Sequence, residues 1–228
     1  MRRAIPVLLL VCFALAPSAA LGQTQPRTAP PARTPPPRKP QIGVRAYGFY
    51  DVEALAASQT FDAVTGSSTL NSFGGGVEVT NVWRKAFLRA TFAHGSKNGQ
   101  RVFVNNGMVF PLGIPLNVGM TPIELGGGWR TTVDKKGLTG AYVGAGVLFL
   151  NYSETTTGAT STDNTSQTFT GFTIFGGVDR SFHKYLVAGV EAQYRGVPNA
   201  LGAAGTSQIY NETNLGGFAI RALFGIKR

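Results

Sequence analysis

Apolar and polar residues alternate with a period of two along most of the chain from Ile42 onward, and helical periodicity does not recur. In 185–196, for example, Leu186 and Val190 alternate with Glu191 and Arg195. A period of two places successive side chains on opposite faces of a strand. The pattern therefore predicts eight strands, over 42–51, 73–82, 86–96, 117–130, 138–152, 168–179, 185–196 and 213–226.

The connections between these strands alternate strictly between short and long. A soluble sandwich has no reason to alternate in this way, whereas outer-membrane barrels have short periplasmic turns and longer external loops. We therefore predict an all-β fold, an eight-stranded antiparallel up-and-down transmembrane β-barrel with short periplasmic turns and long extracellular loops. The short connections are 83–85, 133–137 and 180–184, and the long ones are 52–72, 97–116, 153–167 and 197–212.

Alternation alone fits either a soluble sandwich, whose apolar face lies in a dry core, or a membrane barrel, whose apolar face meets lipid. Three features favour the barrel. Eight strands can close without a free edge, the chain starts with a secretory leader, and aromatic residues lie near strand ends, where membrane barrels carry them. These aromatic residues are Phe73, Trp129, Tyr152 and Phe224.

The first part of the chain has a different composition from the rest. Two arginines and a short apolar run precede a small-x-small site that ends at Gly22, so 1–22 are predicted to be a signal peptide. Segment 23–41 is rich in Pro and basic residues, which predicts an extended periplasmic linker. This linker could contact peptidoglycan or a periplasmic partner. The barrel is predicted to occupy 42–228.

The composition of the chain is also unusual for a soluble protein. Hydrophobic residues make up 43% of the chain but charged residues only 14%, which is low for a soluble protein. The formal net charge is +10, yet six basic residues lie in 1–41, so 15 basic and 11 acidic residues remain after it. The positive charge is scattered, without the basic aromatic patch that binds nucleic acid, so no nucleic-acid partner is expected.

Six charged residues fall on the presumed inner faces of the strands. Four of them, on strands one to four, alternate in sign. The other two lie on strands seven and eight, and closure brings strand eight beside strand one. An eight-stranded barrel is just wide enough to be filled by side chains, and buried charges are tolerated only when they pair. We therefore predict a lumen filled by one layer of ion pairs; a gated path for ions or substrate is the alternative. The six residues are Arg45, Glu78, Arg89, Glu124, Glu191 and Arg221.

The layout of 42–228 resembles that of the small eight-stranded outer-membrane β-barrel proteins, the group that includes OmpX- and OmpW-type barrels. Stretches such as 101–104, 110–116 and 197–202 are closest to those of uncharacterised members. The resemblance implies outer-membrane lipid and the barrel-assembly machinery as partners. The last strand resembles the assembly signal of such barrels, although four residues follow its final aromatic. The residues of this signal are Phe218, Ile220 and Phe224.

An enzymatic interpretation has one motif in its favour. His94 and Ser96 resemble the His-x-Ser pair of outer-membrane lipid A deacylases, which also need a carboxylate to orient the histidine. None occurs between Ser96 and Glu124. We therefore expect no enzyme, with a lipid-modifying hydrolase as a remote alternative. Neither histidine lies beside acidic residues at ligand spacing, and the triple-glycine runs lack a phosphate-loop Lys-Ser/Thr pair, so no metal and no cofactor are expected.

The second long loop contains two apolar stretches on either side of Asn105, Asn106 and Gly107. Asn-Gly is a strong signal for a tight hairpin, so we expect strands three and four to continue beyond the bilayer as a two-stranded ribbon. An isolated apolar hairpin is marginal in water, so another loop, a partner or a hydrophobic ligand is expected to cover it. The apolar loop residues are Val102, Phe103, Val104 and Phe110.

The short-turn end of the predicted barrel is basic, which suits the anionic headgroups of an inner leaflet. Together these features predict a non-enzymatic protein of the bacterial outer membrane with a structural or surface-interaction role through its extracellular loops. A narrow channel for small or hydrophobic solutes is the alternative. The basic residues at this end are Arg84, Lys85, Lys135, Lys136, Arg180, Lys184, Lys227 and Arg228.

Overall fold

The computed structural model describes residues 42–156 and 164–228, so the predicted signal peptide and linker lie outside the described residues. Each strand pairs antiparallel with its neighbours in the chain, and β8 pairs with β1, which closes a single barrel. The predicted fold class, an all-β up-and-down barrel of eight strands, is confirmed. The strands are β1 Gly43–Leu55, β2 Thr69–Trp83, β3 Ala86–Asn105, β4 Met108–Thr132, β5 Thr139–Thr156, β6 Thr165–Ser181, β7 Leu186–Gly196 and β8 Gly217–Lys227.

Several strands extend further than their patterns predicted. β1 continues past 51 to Leu55, since Glu53 still pairs with Leu70 of β2 in the ladder. The last strand instead starts late, at Gly217 rather than 213. The side-chain oxygen of Asn214 accepts the N–H groups of Val197, at 2.8 Å, and of Gly216, at 3.1 Å. These bonds hold the chain in a loop immediately before β8.

Two short helices lie in the described parts of the long connections, α1 at Ser58–Thr65 and α2 at Gly205–Ile209. Neither was predicted, because helices this short show no readable periodicity. The carboxylate of Glu212 accepts the N–H groups of Gln59, at 3.0 Å, and of Thr60, at 2.8 Å, in the first turn of α1. The long connection before β8 therefore stabilises the helix in the connection after β1. Among the described residues, no helix combines the length and hydropathy needed to cross a membrane.

The short connections lie at one end of the barrel, the short-turn end, and the helices lie at the other, the loop end. In the turn between β4 and β5, the carboxylate of Asp134 accepts the N–H of Thr139 at 2.8 Å and that of Leu138 at 3.2 Å. These bonds, the Thr139 bond foremost, hold the pKa of Asp134 below its ordinary value because they favour the ionised carboxylate. The two hydrogen bonds to Asp134 close the turn within the few residues that connect β4 to β5.

The two faces of the sheet have opposite polarity. Large apolar side chains point outward, and Phe73 and Trp129 are 70% and 63% exposed. Charged side chains point inward, and Asp51 and Arg221 are almost completely buried. A soluble barrel would have the reverse arrangement, because apolar surface in water is unfavourable. The outer wall is therefore suited to a hydrocarbon environment.

Candidate functional site

The middle of the lumen holds a closed network of ion pairs, here called the central cluster. Arg195 on β7 contacts three carboxylates, Asp51 at 2.9 Å, Glu53 at 2.6 Å and Glu124 at 2.9 Å. The residues come from β1, β3, β4, β7 and β8, so the network crosses the barrel from wall to wall. Its members are Arg89, Arg195, Arg221, Asp51, Glu53, Glu124 and Glu191.

The other two arginines of the central cluster complete the network. Arg221 contacts Asp51 at 2.7 Å and its register partner Glu191 at 3.3 Å. Arg89 contacts Glu191 at 2.6 Å and Glu124 at 3.5 Å. Each carboxylate of the cluster thus meets at least one guanidinium, which offsets much of the cost of removing these charges from water.

Neutral groups supply the remaining contacts of the central cluster. Three guanidinium groups face four carboxylates, so the arginines alone do not balance the acids. The hydroxyl of Thr91 donates to Glu124 at 2.9 Å, and the amide of Gln193 donates to the same carboxylate. The Arg89 guanidinium also lies over the ring of Phe175, 3.2 Å from its centroid. The cluster is therefore held by hydrogen bonds and ring contacts as well as by charge.

A second group of charges, here called the mouth tetrad, lies near the short-turn end. It consists of Arg45, Glu78, Arg130 and Asp179, two cations and two anions. Arg45 contacts Glu78 at 3.3 Å and Asp179 at 3.0 Å. Arg130 contacts Glu78 at 3.0 Å and also pairs with Asp179. Each member therefore meets both of its opposite charges.

An aromatic group separates the two sets of charges. The ring of Phe87 on β3 packs edge-on against Tyr142 on β5, with centroids 6.1 Å apart. It also lies 6.2 Å from Phe175 on β6. These buried rings occupy the lumen between the mouth tetrad and the central cluster.

The six charged residues predicted from the sequence do not form one layer. Arg45 and Glu78 belong to the mouth tetrad, whereas the remaining four belong to the central cluster. Glu78 and Arg89 are register partners on β2 and β3, yet they make ion pairs with different residues. Side chains lean along their own strand, and these strands run in opposite directions. The four residues in the central cluster are Arg89, Glu124, Glu191 and Arg221.

Five charged residues of the lumen were not in the predicted set. Glu53 fell in a segment predicted as a loop, and Asp179 is the last residue of the strand predicted over 168–179. The others lie on inner faces by the same period-two rule that selected the six, so the signal was present in the sequence. The five residues are Asp51, Glu53, Arg130, Asp179 and Arg195.

The loop end of the lumen is closed by apolar side chains, here called the outer plug. Phe61 of α1 reaches into the mouth and packs among inward-facing residues of the strands. A cavity of only about 10 Å³ lies between the central cluster and this plug, next to Arg195 and Met120. The main residues of the plug are Leu55, Phe61, Leu70, Leu116, Val118, Met120, Leu148, Leu150, Val197 and Leu215.

The predicted two-stranded ribbon extends from the loop end. Asn105 pairs with Met108 across a tight turn in which Asn106 and Gly107 have φ values of 48° and 77°. Both central residues thus have the left-handed backbone that favours Asn and Gly in a tight hairpin turn. This confirms the predicted hairpin.

One face of this ribbon is apolar and open to solvent. Phe103 and Phe110 are register partners, 53% and 42% exposed, and Met108 beside them is also exposed. Val102 and Val104 are half-buried. We therefore define the apolar face of the ribbon as Phe103, Met108 and Phe110.

Other loops cover only the base of the ribbon. A cavity of about 350 Å³ lies there, and Val102 and Leu112 of the ribbon face Phe61 of α1 and Leu201 across it. The expected covering by another loop is therefore partial. Phe103 and Phe110 stay outside it.

The histidine and serine of the hydrolase motif lie on the outer face of β3. His94 is exposed, and its Nδ1 makes a hydrogen bond of 2.9 Å with the Thr121 hydroxyl. Glu124 points into the lumen, away from both His94 and Ser96. Among the residues that the structure describes, no carboxylate pairs with this histidine. Within the described ranges, no group of three or more His, Cys, Asp or Glu residues is arranged so that it could hold a metal ion.

The assembly-signal residues lie on the outer face of β8. Phe218, Ile220 and Phe224 are all exposed on the apolar wall, and Arg221 between them points into the lumen. β8 closes the barrel against β1, so this strand serves both the outer wall and the ring.

Comparison with solved structures gives several proteins of similar fold at low sequence identity. No protein-family model and no curated protein matches the chain. One similar structure is Ail, the attachment invasion locus protein of Yersinia pestis, in a complex with the heparin analogue sucrose octasulfate. It has 8% identity and a TM-score of 0.49, over 82% of this chain and 99% of that chain. The N-terminal β-barrel domain of Pseudomonas aeruginosa OprF has 13% identity and a TM-score of 0.44, over 82% and 100%.

Neisserial surface protein A has 10% identity and a TM-score of 0.47, over 82% of this chain and 95% of that chain. All three neighbours are small eight-stranded outer-membrane β-barrels. The fold of this chain follows from its own strand pairing, a closed ring of eight antiparallel strands.

Proposed function

We propose that this protein is a non-enzymatic barrel of the bacterial outer membrane that uses its ribbon to bind a partner at the cell surface. The observation that carries this proposal is the apolar face of the ribbon, Phe103, Met108 and Phe110, which is exposed beyond the barrel. The apolar outer wall supports the membrane placement, since exposed side chains such as Phe73 and Trp129 suit lipid.

The position of the ribbon suits a surface interaction. β3 continues from 96, where its predicted strand ends, to Asn105, which is roughly 30 Å at about 3.3 Å per residue. Single exposed apolar residues are ordinary on protein surfaces, but a contiguous exposed patch marks an interaction site. Phe103 and Phe110 are directly opposite each other in the ladder, so their rings form such a patch. Its partner should present an apolar surface in turn.

The ribbon role is tested by placing serine on its apolar face. Proteoliposomes with the loop end outward are passed over phenyl-agarose beads, which present an apolar surface. The variant Phe103→Ser/Phe110→Ser should lose most of the retention of the wild type. Val104→Ser/Val109→Ser is the matched control, because these register partners lie on the other ribbon face. Equal retention of wild type and Phe103→Ser/Phe110→Ser would contradict the proposal.

The filled lumen supports a structural role over the channel alternative. The central cluster and the outer plug lie in series along the axis, and burying so many charges requires that they stay paired. We expect single-channel recordings in planar bilayers to show no stable conductance. A reproducible open state for the wild-type protein would favour the narrow channel instead.

A further inference from the structure

The short-turn end of the barrel opens into a vestibule of about 380 Å³. The cations Arg45, Lys85, Arg130 and Lys227 line it, against the carboxylate of Asp179. Threonine and serine hydroxyls lie between them. A concave surface with several cations and hydroxyl donors is chemically suited to an oxyanion.

The charges of the vestibule are not balanced. The mouth tetrad is neutral as a group, since Arg45 and Arg130 are matched by its two carboxylates. Lys85 donates to the hydroxyl of Thr131 at 3.4 Å, and Lys227 donates to that of Ser181. Within the described part of the chain, neither lysine has a carboxylate partner in an ion pair. Two lysines therefore leave a local excess of positive charge.

The arginines of the vestibule also have unused donors. The Nε groups of Arg45 and Arg130 are buried and have no hydrogen-bond partner among the residues that the structure describes. Because both atoms are buried, the polar surface that the vestibule offers to a ligand is formed mainly by the lysines and the hydroxyl groups.

A shallow apolar groove adjoins the vestibule on the outer wall. The groove has a volume of about 360 Å³, and Trp129, Ala141 and Val143 line it. Trp129 and Val143 are register partners on β4 and β5, and Ala141 leaves room beside them. Lys85 lines both the groove and the vestibule. One lysine therefore connects an oxyanion site to a surface suited to hydrocarbon.

We propose that this rim is a specific site for an anionic phospholipid. Lys85 and Thr131 bind its phosphate at the edge of the vestibule, and an acyl chain lies along the groove against Trp129 and Val143. A soluble phosphate would contact only the vestibule, and an uncharged lipid would contact only the apolar groove. The inference rests on the membrane placement proposed above, and it adds a defined ligand site to it.

The test uses Trp129 as a reporter within the folded full-length protein. The chain has 2 tryptophans, so Trp83→Phe leaves Trp129 as the only fluorophore of its kind. The protein is reconstituted into phosphatidylcholine vesicles that contain a small fraction of lipid with brominated acyl chains, which quench a tryptophan on contact. Brominated phosphatidylglycerol should quench Trp129 more strongly than brominated phosphatidylcholine.

Variants assign this preference to the site. Lys85→Gln should weaken the preference for phosphatidylglycerol about fivefold, since each lysine near an anionic surface adds that order of affinity. Lys85→Arg should retain it. Lys184→Gln is the matched control, because it removes the same charge from another turn of the short-turn end and lines neither cavity. An equal loss in Lys85→Gln and Lys184→Gln would overturn the proposal in favour of a diffuse basic rim.

Three further outcomes separate the possible failures. If inorganic phosphate at millimolar concentration abolished the preference, the ligand would be a soluble phosphate and the lipid assignment would be wrong. If neither brominated lipid quenched Trp129, the membrane placement itself would fail. Equal quenching by the two lipids would leave the membrane placement intact and refute the specific site.

Discussion

The central cluster and the mouth tetrad use the same chemistry in different surroundings. The side chain of Arg195 in the central cluster is 2% exposed, whereas that of Arg130 in the mouth tetrad is 18% exposed and borders the vestibule. Water can reach the tetrad from its open side but is excluded from the middle of the lumen. We therefore expect position along the axis, rather than the number of ion pairs, to decide how much free energy of unfolding is lost with a partner.

The two groups also differ in charge balance. The mouth tetrad matches two guanidinium groups with two carboxylates. The central cluster sets three against four, so it depends on neutral donors such as Thr91 and Gln193. A cluster that already lacks one cation should be the more sensitive to losing another.

The largest effect is expected for Arg195→Met. This change keeps much of the side-chain volume but leaves Asp51, Glu53 and Glu124 without the guanidinium that joins them. The free energy of unfolding should fall by about 3–5 kcal/mol, the cost of an unpaired buried charge. Urea titration of the protein refolded in detergent measures it. A loss below about 1 kcal/mol would mean that water reaches the central cluster.

A smaller effect is expected for Glu78→Gln in the mouth tetrad. Arg45 and Arg130 keep their contacts with Asp179, and water from the vestibule can replace part of the lost interaction. The free energy of unfolding should fall by about 1–3 kcal/mol. The same urea titration applies. If this change cost as much as Arg195→Met, the contrast between the two regions would be wrong.

The smallest effect concerns coupling between pairs of residues. A double-mutant cycle of Arg89→Met and Glu191→Gln should give a coupling of about 0.5–3 kcal/mol, because their side chains are in contact. The corresponding cycle of Arg89 with Glu78 should be additive within about 0.5 kcal/mol, because the two belong to different clusters. Coupling in the second cycle as large as in the first would restore the single layer expected from the sequence.

The strands, their faces and the hairpin turn could be predicted from the sequence because each is a local property. Period-two alternation assigned Glu191 to the inner face and Val190 to the outer face, and covalent geometry alone requires that they point apart. The turn at Asn106 and Gly107 followed in the same way from the residues that tolerate a positive φ.

Strand ends and helices were less predictable because they depend on distant segments. Glu53 lies in a strand because it pairs with Leu70 of β2, and the residues near Glu53 in the chain do not predict that pairing. Helix α1 is stabilised by Phe61 packing in the barrel mouth and by the carboxylate of Glu212. Each of these contacts joins α1 to segments that are far from it in the chain.

The sequence by itself determined that the lumen would contain paired charges, because inward-facing arginines and carboxylates in a narrow barrel must neutralise one another. Only the tertiary structure decided which residues pair. Arg89 on β3 reaches Glu191 on β7 rather than its register partner Glu78, because closure brings opposite walls within reach of a long side chain. Pairing across a lumen depends on strand direction, register and side-chain reach. The spacing of residues along the chain does not determine which side chains these factors bring together.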